Sequence, residues 1–310
     1  MTEAKSGEAA MMDVDVEVLD NRPVGKDLYS LRLLAPQIAK TGRAGQFLNL
    51  ACSQSSAPLL RRPFSLHLLD PVEGTVSLLY KVVGQGTGLL TELRPGDRTR
   101  ALGPLGRGFP VTEGLADRGG PLATGGTAIL VAGGVGLAPM AQLAVELRQF
   151  QAGTTTVLLV GARNSADLPD LDLFRRCGVA HIAVATEDGT AGTEGFVTDI
   201  LTAALEGRLE GWPTVSPAVA FVCGPRPMLA AVQRLASSHG VGGYLSLEAE
   251  MACGIGACLG CVVETTSGYR RVCKDGPVFG LSEVIFDGAV PQPHGLKEPG
   301  DPQGPAAERG

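Results

Sequence analysis

Four cysteines, Cys253, Cys258, Cys261 and Cys273, stand in the spacing C-x4-C-x2-C-x11-C. Three thiols crowded into nine residues with a fourth standing alone is the plant-type pattern that holds two irons and two sulfides by four thiolates. The residues between them are small: Gly254, Gly256, Ala257 and Gly260. A loop so built can wrap closely and aim its N–H groups at sulfide. Two other chemistries use the same residue types. A structural zinc site also takes four thiolates, usually as two separate C-x2-C knuckles. Disulfides need an oxidising compartment, and nothing in the sequence points to one. A cluster carries one electron at a time, so the rest of the chain has to supply what feeds or drains it.

Two further groups of residues could bind phosphate. Arg62-Pro63-Phe64-Ser65 opens a strand-like run, and Leu79-Tyr80-Lys81 leads into Gly84-Gln85-Gly86-Thr87 and a short apolar helix. N–H groups exposed after Gly86 and Thr87 suit a diphosphate, with Arg62 as a bidentate counter-charge and Ser65 as a donor to a ring lying on the strand. The plainer alternative is a solvated edge arginine and an ordinary turn. Farther on, Gly133-Gly134-Val135-Gly136-Leu137-Ala138-Pro139 follows one apolar run, and Cys223-Gly224-Pro225-Arg226-Pro227-Met228 follows another. The first departs from the dinucleotide fingerprint because Pro139 takes the place of its third glycine, yet proline is tolerated in a first helical turn. Both turns are expected at carboxyl ends of strands, where open parallel sheets bind ligands. The competing reading is a pair of packing turns.

The elements that must position these residues fall into two patterns. Asp13–Val18 alternates polar and apolar, and strand-like runs follow at 28–34, 46–51, 64–69, 76–83 and 97–102, with turn residues between them. Six short strands with almost no helix imply an antiparallel β-barrel. From Thr127 the pattern changes to a buried strand at 128–132, a helix at 137–150, a strand at 156–160 and continued alternation through 219–222 and 228–237. That is an α/β nucleotide domain with a parallel sheet covered on both faces. After the run 245–248, Cys261–Glu264 and Tyr269–Cys273 predict a hairpin turning at Ser267-Gly268, which would return Cys273 to the other thiols.

The expected organisation is therefore multidomain. It comprises a tail over 1–10, the barrel over 11–109, a Gly- and Pro-rich linker over 110–126, the α/β domain over 127–248, a small cluster module over 249–287 and a disordered tail over 288–310. With 310 residues, each of the three folded parts is expected to have its own core. Glycine, at 43 residues, is roughly double the average usage of about 7% and suggests close backbone approach to ligands. A net charge of -6 without a basic run argues against nucleic acid. No run reaches about 18 apolar residues and Met1–Ala10 is polar, so neither a membrane span nor a signal peptide is expected and a cytoplasmic location is the default. Cys52, Cys177 and Cys223 lie in or beside apolar runs and read as reduced thiols.

Taken in order, Arg62-Pro63-Phe64-Ser65, Gly86-Thr87, Gly133 to Pro139 and Cys223-Gly224-Pro225 resemble the ferredoxin–NADP reductase superfamily. The C-terminal run Met251 to Cys261, with Val272-Cys273-Lys274-Asp275-Gly276-Pro277-Val278-Phe279, is similar to the electron-transfer subunits of dihydroorotate dehydrogenase B, and Leu102 to Phe109 fits the same subfamily. The resemblance runs from about Val14 to Phe286. It implies FAD held by Arg62, Pro63, Phe64, Ser65, Leu79, Tyr80, Lys81, Gly86 and Thr87, and a 2Fe-2S cluster held by Cys253, Cys258, Cys261 and Cys273. For the nicotinamide nucleotide it implies Gly133, Gly134, Gly136, Cys223, Gly224 and Pro225, with NAD favoured over NADP. Arg163 could meet a 2′-phosphate or be a solvated charge, and Arg107 replaces a small polar residue at the rim of the flavin site. The implied partner is an FMN-containing dihydroorotate dehydrogenase catalytic subunit, in a heterotetramer of two copies of each chain. No side-chain general base is expected, because the cofactors carry the chemistry. The alternatives are a diaphorase-type FAD/2Fe-2S subunit of a sulfide or hydrogenase-type complex, and a non-enzymatic zinc-binding module.

Overall fold

In the computed structural model the described residues are 11–53, 57–111, 122, 125–151, 153–213 and 215–286. Both expected tails and most of the expected linker lie outside them.

Six strands build the barrel: β1 (Met12–Gly25), β2 (Leu28–Leu34), β3 (Phe47–Leu50), β4 (Arg62–Asp70), β5 (Thr75–Lys81) and β6 (Arg98–Leu105). They close in the order β1-β2-β5-β4-β3-β6, with every neighbour antiparallel. Two short helices, α1 (Pro36–Thr41) and α2 (Gln85–Leu90), interrupt the strands. Period-2 alternation turns Val16, Val18, Leu31, Leu33, Leu48, Leu50, Leu66 and Leu78 into one interior. β1 is far longer than its clean alternation predicts. It serves two neighbours in turn, β6 through Glu17 and then β2, and a register shift after Val18 breaks the alternation where the partner changes.

The second sheet is formed by β7 (Thr127–Gly133), β8 (Thr155–Ala162), β9 (His181–Thr186), β10 (Thr193–Glu194), β11 (Ala218–Cys223) and β12 (Gly242–Ser246). Its helices are α3 (Ala138–Phe150), α4 (Asp172–Cys177), α5 (Val197–Leu205) and α6 (Arg226–Ser238). The apparently continuous apolar run of β7 serves two faces. Ala128, Leu130 and Ala132 pack with α3 and α4, whereas Ile129 and Val131 pack with α5 and α6. The order β10-β9-β8-β7-β11-β12 reverses direction between β7 and β11. That reversal is the topological switch point of a doubly wound sheet, where the strands' carboxyl ends open a crevice.

The C-terminal segment adds a hairpin, β13 (Val262–Thr265) and β14 (Gly268–Arg271), then a helical turn, α7 (Val272–Asp275), and β15 (Val278–Gly280). The hairpin forms, but the expected second strand ends at Arg271 and Cys273 sits in α7. The Asp275 carboxylate accepts the Arg271 N–H at 2.9 Å and closes that turn. Nor has the segment a core of its own. β15 joins the large sheet antiparallel to β12, and Cys261, Val263, Val272, Cys273 and Phe279 belong to the same apolar core as β11, α6 and the barrel residues Phe47 and Leu105. About forty residues bury too little apolar surface to stand alone.

Candidate functional site

The cluster loop is assembled from backbone donors as much as from thiols. The Ile255 and Cys258 N–H groups point at Cys253 Sγ at 3.5 and 3.4 Å, Gly256 N–H at Cys273 Sγ at 3.1 Å, and Cys273 N–H at Cys261 Sγ at 3.4 Å. Burial pushes the Cys253 thiol up, but the Ile255 and Cys258 donors outweigh it and bring it down to about 6. Burial and then the adjoining Cys261 sulfur push Cys273 up to about 12. The thiols lie two and two, Cys253 beside Cys258 and Cys273 beside Cys261. Cys253 with Cys258 and Cys273 with Cys261 is the division that two irons would take. The donor set, the pairing and the small residues fit a two-iron cluster.

The loop is clamped from both ends. Arg271 donates to the Gly256 carbonyl at 3.2 Å while Asp275 holds its guanidinium at 3.0 Å. On the barrel side Asn49 Nδ2 reaches the Cys253 carbonyl at 3.4 Å. Gly254 has φ +68, and a Cβ there would lie 2.0 Å from Asn49 Nδ2, so both its conformation and its surroundings require glycine.

On the barrel, β4 and β5 and the turn after β5 bring together most of the residues expected to hold FAD. Arg62 lies along that turn, its Nε 3.0 Å from where a Cβ of Gly86 would stand. Pro63 and Ser65 are half-buried, and Phe64 points into the barrel. Thr87 Oγ1 is fully engaged in shaping the turn: it accepts the Val83 and Gly84 N–H groups at 2.9 and 3.2 Å and donates to the Gly84 carbonyl at 3.1 Å. Tyr80 is also turned inward, stacked on Tyr29 with its hydroxyl on Asn21 Oδ1 at 3.2 Å. Leu79 faces the α3 side. Lys81 crosses to the other domain, where Asp167 takes it at 3.4 Å and Arg163 at 2.9 Å. Burial works against the Asp167 carboxylate, but the two cations hold it below the usual range. Arg163 is thus spent on Asp167, and the Arg107 backbone N–H binds the Gly276 carbonyl at 2.6 Å beside the cluster segment.

Gly133 and Cys223 end β7 and β11 side by side at the switch point. A Cβ on Gly136 would stand 2.2 Å from the Cys223 carbonyl oxygen, so the two glycine-bearing turns touch through backbone. Met228 packs against Gly133 and Gly224 beneath them, and Gly134, at φ +55, has open space where a side chain would be. Pro225 caps α6. Cys223 is buried and its thiol is pushed far up, first by burial and then by the Glu248 carboxylate, so it stays protonated.

One row of residues that sequence patterning did not single out joins the two domains. Along α3, the Ala138 carbonyl meets His67 Nδ1 at 2.8 Å, Gln142 Oε1 accepts the Leu69 N–H at 3.0 Å and Glu146 Oε1 accepts the Ala44 N–H at 2.8 Å. The spacing of four puts all three on one face. Polar residues at helical spacing read as a solvated stripe, and only the packed barrel shows that they are buried.

A six-stranded flavin-type barrel, a doubly wound nucleotide sheet and a four-thiol loop docked on both define a ferredoxin-reductase-like electron-transfer protein. The solved structure of an NADH-dependent reduced ferredoxin-NADP oxidoreductase, described in terms of flavin-based electron bifurcation, superposes with a TM-score of 0.72 and 27% identity over 87% of this chain and 90% of that one. Residues 248–285 match the family model for the iron-sulfur cluster binding domain of dihydroorotate dehydrogenase B, and residues 130–234 match an oxidoreductase NAD-binding domain. The dihydroorotate dehydrogenase B (NAD(+)) electron transfer subunit of Geobacillus thermodenitrificans is 37% identical over 272 residues, 87% of this chain and 97% of that protein. That of Desulforamulus reducens is 34% identical, over 88% of this chain and 98% of that protein. The chain belongs to the family of dihydroorotate dehydrogenase B electron transfer subunits.

Proposed function

We propose that this chain passes electrons singly through a 2Fe-2S cluster on Cys253, Cys258, Cys261 and Cys273 and exchanges them as hydride with NAD through FAD, in the oxidation of dihydroorotate to orotate for pyrimidine biosynthesis. The observation that carries this is the paired-thiol loop docked on the strands of a flavin-type barrel. When bound, FAD takes up two electrons one at a time with one proton and releases them together as hydride to NAD+.

The chain's own residues bind and orient. Arg62, Pro63, Ser65, Gly86 and the turn braced by Thr87 hold the flavin nucleotide; Phe64 and Tyr80 support that surface from the barrel interior, Leu79 from the α3 side, and Lys81 ties it to Asp167. Gly133, Gly134, Gly136, Cys223, Gly224 and Pro225 bring the nicotinamide nucleotide to the switch point, with Cys223 as a neutral packing surface. No side chain is assigned as a general base.

The partner in this reading is an FMN-containing dihydroorotate dehydrogenase catalytic subunit, assembled as a heterotetramer with two copies of each chain, in the cytoplasm. Exposed Cys258, Ile255 and Leu259 at the edge of the cluster loop support docking there. No helix among the described residues is long and apolar enough to cross a membrane. The test is an absorption spectrum with iron, sulfide and flavin counts on the co-expressed complex, followed by assays of the isolated chain. The chain alone is expected to oxidise NADH with artificial acceptors and to form no orotate; orotate formation by the pure single chain would sink the subunit assignment.

A further inference from the structure

Asn49 occupies a place where a polar residue needs a reason. It lies on β3, between β4, where it pairs with Pro63, and β6, where it pairs with Leu102. The alternation of β3 sends Leu48 and Leu50 into the barrel and Phe47 outward, into the same apolar core as Cys261 and Cys273. Asn49, two residues after Phe47, follows it toward the cluster segment. The residue is only 3% exposed. Nδ2 holds the Cys253 carbonyl, the Cys253-Gly254 turn wraps the amide so closely that Gly254 has no room for a Cβ, and Oδ1 has no partner. A buried acceptor left unpaired is destabilising; an apolar side chain of the same size would remove that cost and would release only the carbonyl of half-exposed Cys253. Stability alone does not account for asparagine here.

What the amide does is join two sites. Through one hydrogen bond it links a cluster ligand's peptide to a strand whose ladder partner begins with Arg62-Pro63. We propose that Asn49 is the positioning residue that registers the cluster loop against the flavin-binding strand, so that electron transfer between flavin and cluster depends on it while hydride exchange between nicotinamide and flavin does not. This rests on the cofactor assignment above. The separation and orientation of two cofactors are what a protein contributes to transfer between them. Arg271 clamps the same loop at Gly256 but from within the C-terminal segment, so it cannot set the distance to the barrel.

The test compares the full chain, with its cofactors bound, with Asn49→Leu and Asn49→Gln. Expected for Asn49→Leu are a melting temperature within a few degrees of the parent's, NADH-driven bleaching of the flavin within about two-fold, cluster reduction by the flavin slowed at least tenfold, and a changed cluster EPR line shape. Amide hydrogen exchange at Ile255 and Gly256, measured on the chain with and without iron, is expected to speed up by a similar factor. Asn49→Gln, which keeps the donor on a longer arm, should fall between. A flavin-to-cluster rate within two-fold of the parent together with unchanged exchange would overturn the proposal. So would a lowered melting temperature with flavin bleaching and cluster reduction slowed in parallel, since that is plain structural damage. If the parent chain binds no cluster, the cofactor assignment fails, whereas the exchange measurement on the iron-free chain still decides whether Asn49 holds the loop.

Discussion

The cluster loop and the flavin–nicotinamide crevice solve the same problem, holding a redox group, by opposite routes. The loop draws four thiols from twenty-one consecutive residues, and its donors are the N–H groups of those same residues. The crevice draws on β4, β5, β7 and β11, whose functional turns span positions 62 to 225 in the chain, and it depends on α3 and the Lys81–Asp167 pair holding one domain to the other. A compact ligand set tolerates being docked as a unit. A dispersed one requires the whole fold to be correct before any part of it works.

If the two sites are separable in this way, variants should damage one limb and spare the other. The largest effect is expected from replacing any of Cys253, Cys258, Cys261 or Cys273 by Ser. Dihydroorotate-to-NAD transfer in the complex should fall on the order of 1,000-fold, because no side chain can replace the cofactor, while NADH-driven flavin reduction in stopped flow stays near the parent rate. Equal loss of both would mean that the cluster does not lie beyond the flavin.

Next in size is Gly136→Ala, whose methyl group meets the Cys223 carbonyl and must push the two turns apart. A displacement of about 1 Å at such a site costs roughly 100-fold in rate. NADH-driven flavin reduction should drop accordingly with iron and sulfide counts unchanged.

Glu146→Leu tests what holds the crevice together. It leaves the Ala44 N–H without an acceptor, and the unfolding free energy from chemical denaturation should fall by about 1–3 kcal/mol, with flavin released before iron. The smallest effect concerns His67. Burial lowers its pKa despite the Ala138 carbonyl, so the folded chain holds it neutral. Its contribution to stability is therefore complete above the unfolded value of about 6.5 and is lost as pH falls below that. His67→Gln, which keeps a donor to Ala138 but does not titrate, should flatten the decline measured by denaturation between about pH 7 and 5.

Much of the site's chemistry was legible in the chain. Cysteine spacing is local and chemically specific, so the four thiols and the glycines around them could be singled out directly. Alternation and long apolar runs likewise announced a barrel followed by a doubly wound sheet, because burial imposes its period on every strand. Where two neighbours share one strand, as along β1, the period shifts and the expected end at Val18 fell short.

Other roles depended on direction, which residue type does not encode. Tyr80 and Thr87 look like ligand contacts, yet the pleat turns Tyr80 inward and the loop consumes the Thr87 hydroxyl. Arg163 reads as a free charge until its ion pair with Asp167 is seen. Asn49, Gln142 and Glu146 look like solvated positions until a second domain covers them. The gathering of the four thiols in one loop was set by neighbours in sequence, whose spacing the peptide bond determines. The burial of Asn49, the pins along α3 and the meeting of Gly136 with Cys223 were set by packing between segments far apart in the chain, and only the closed barrel, the sheet and the docked loop together decide them.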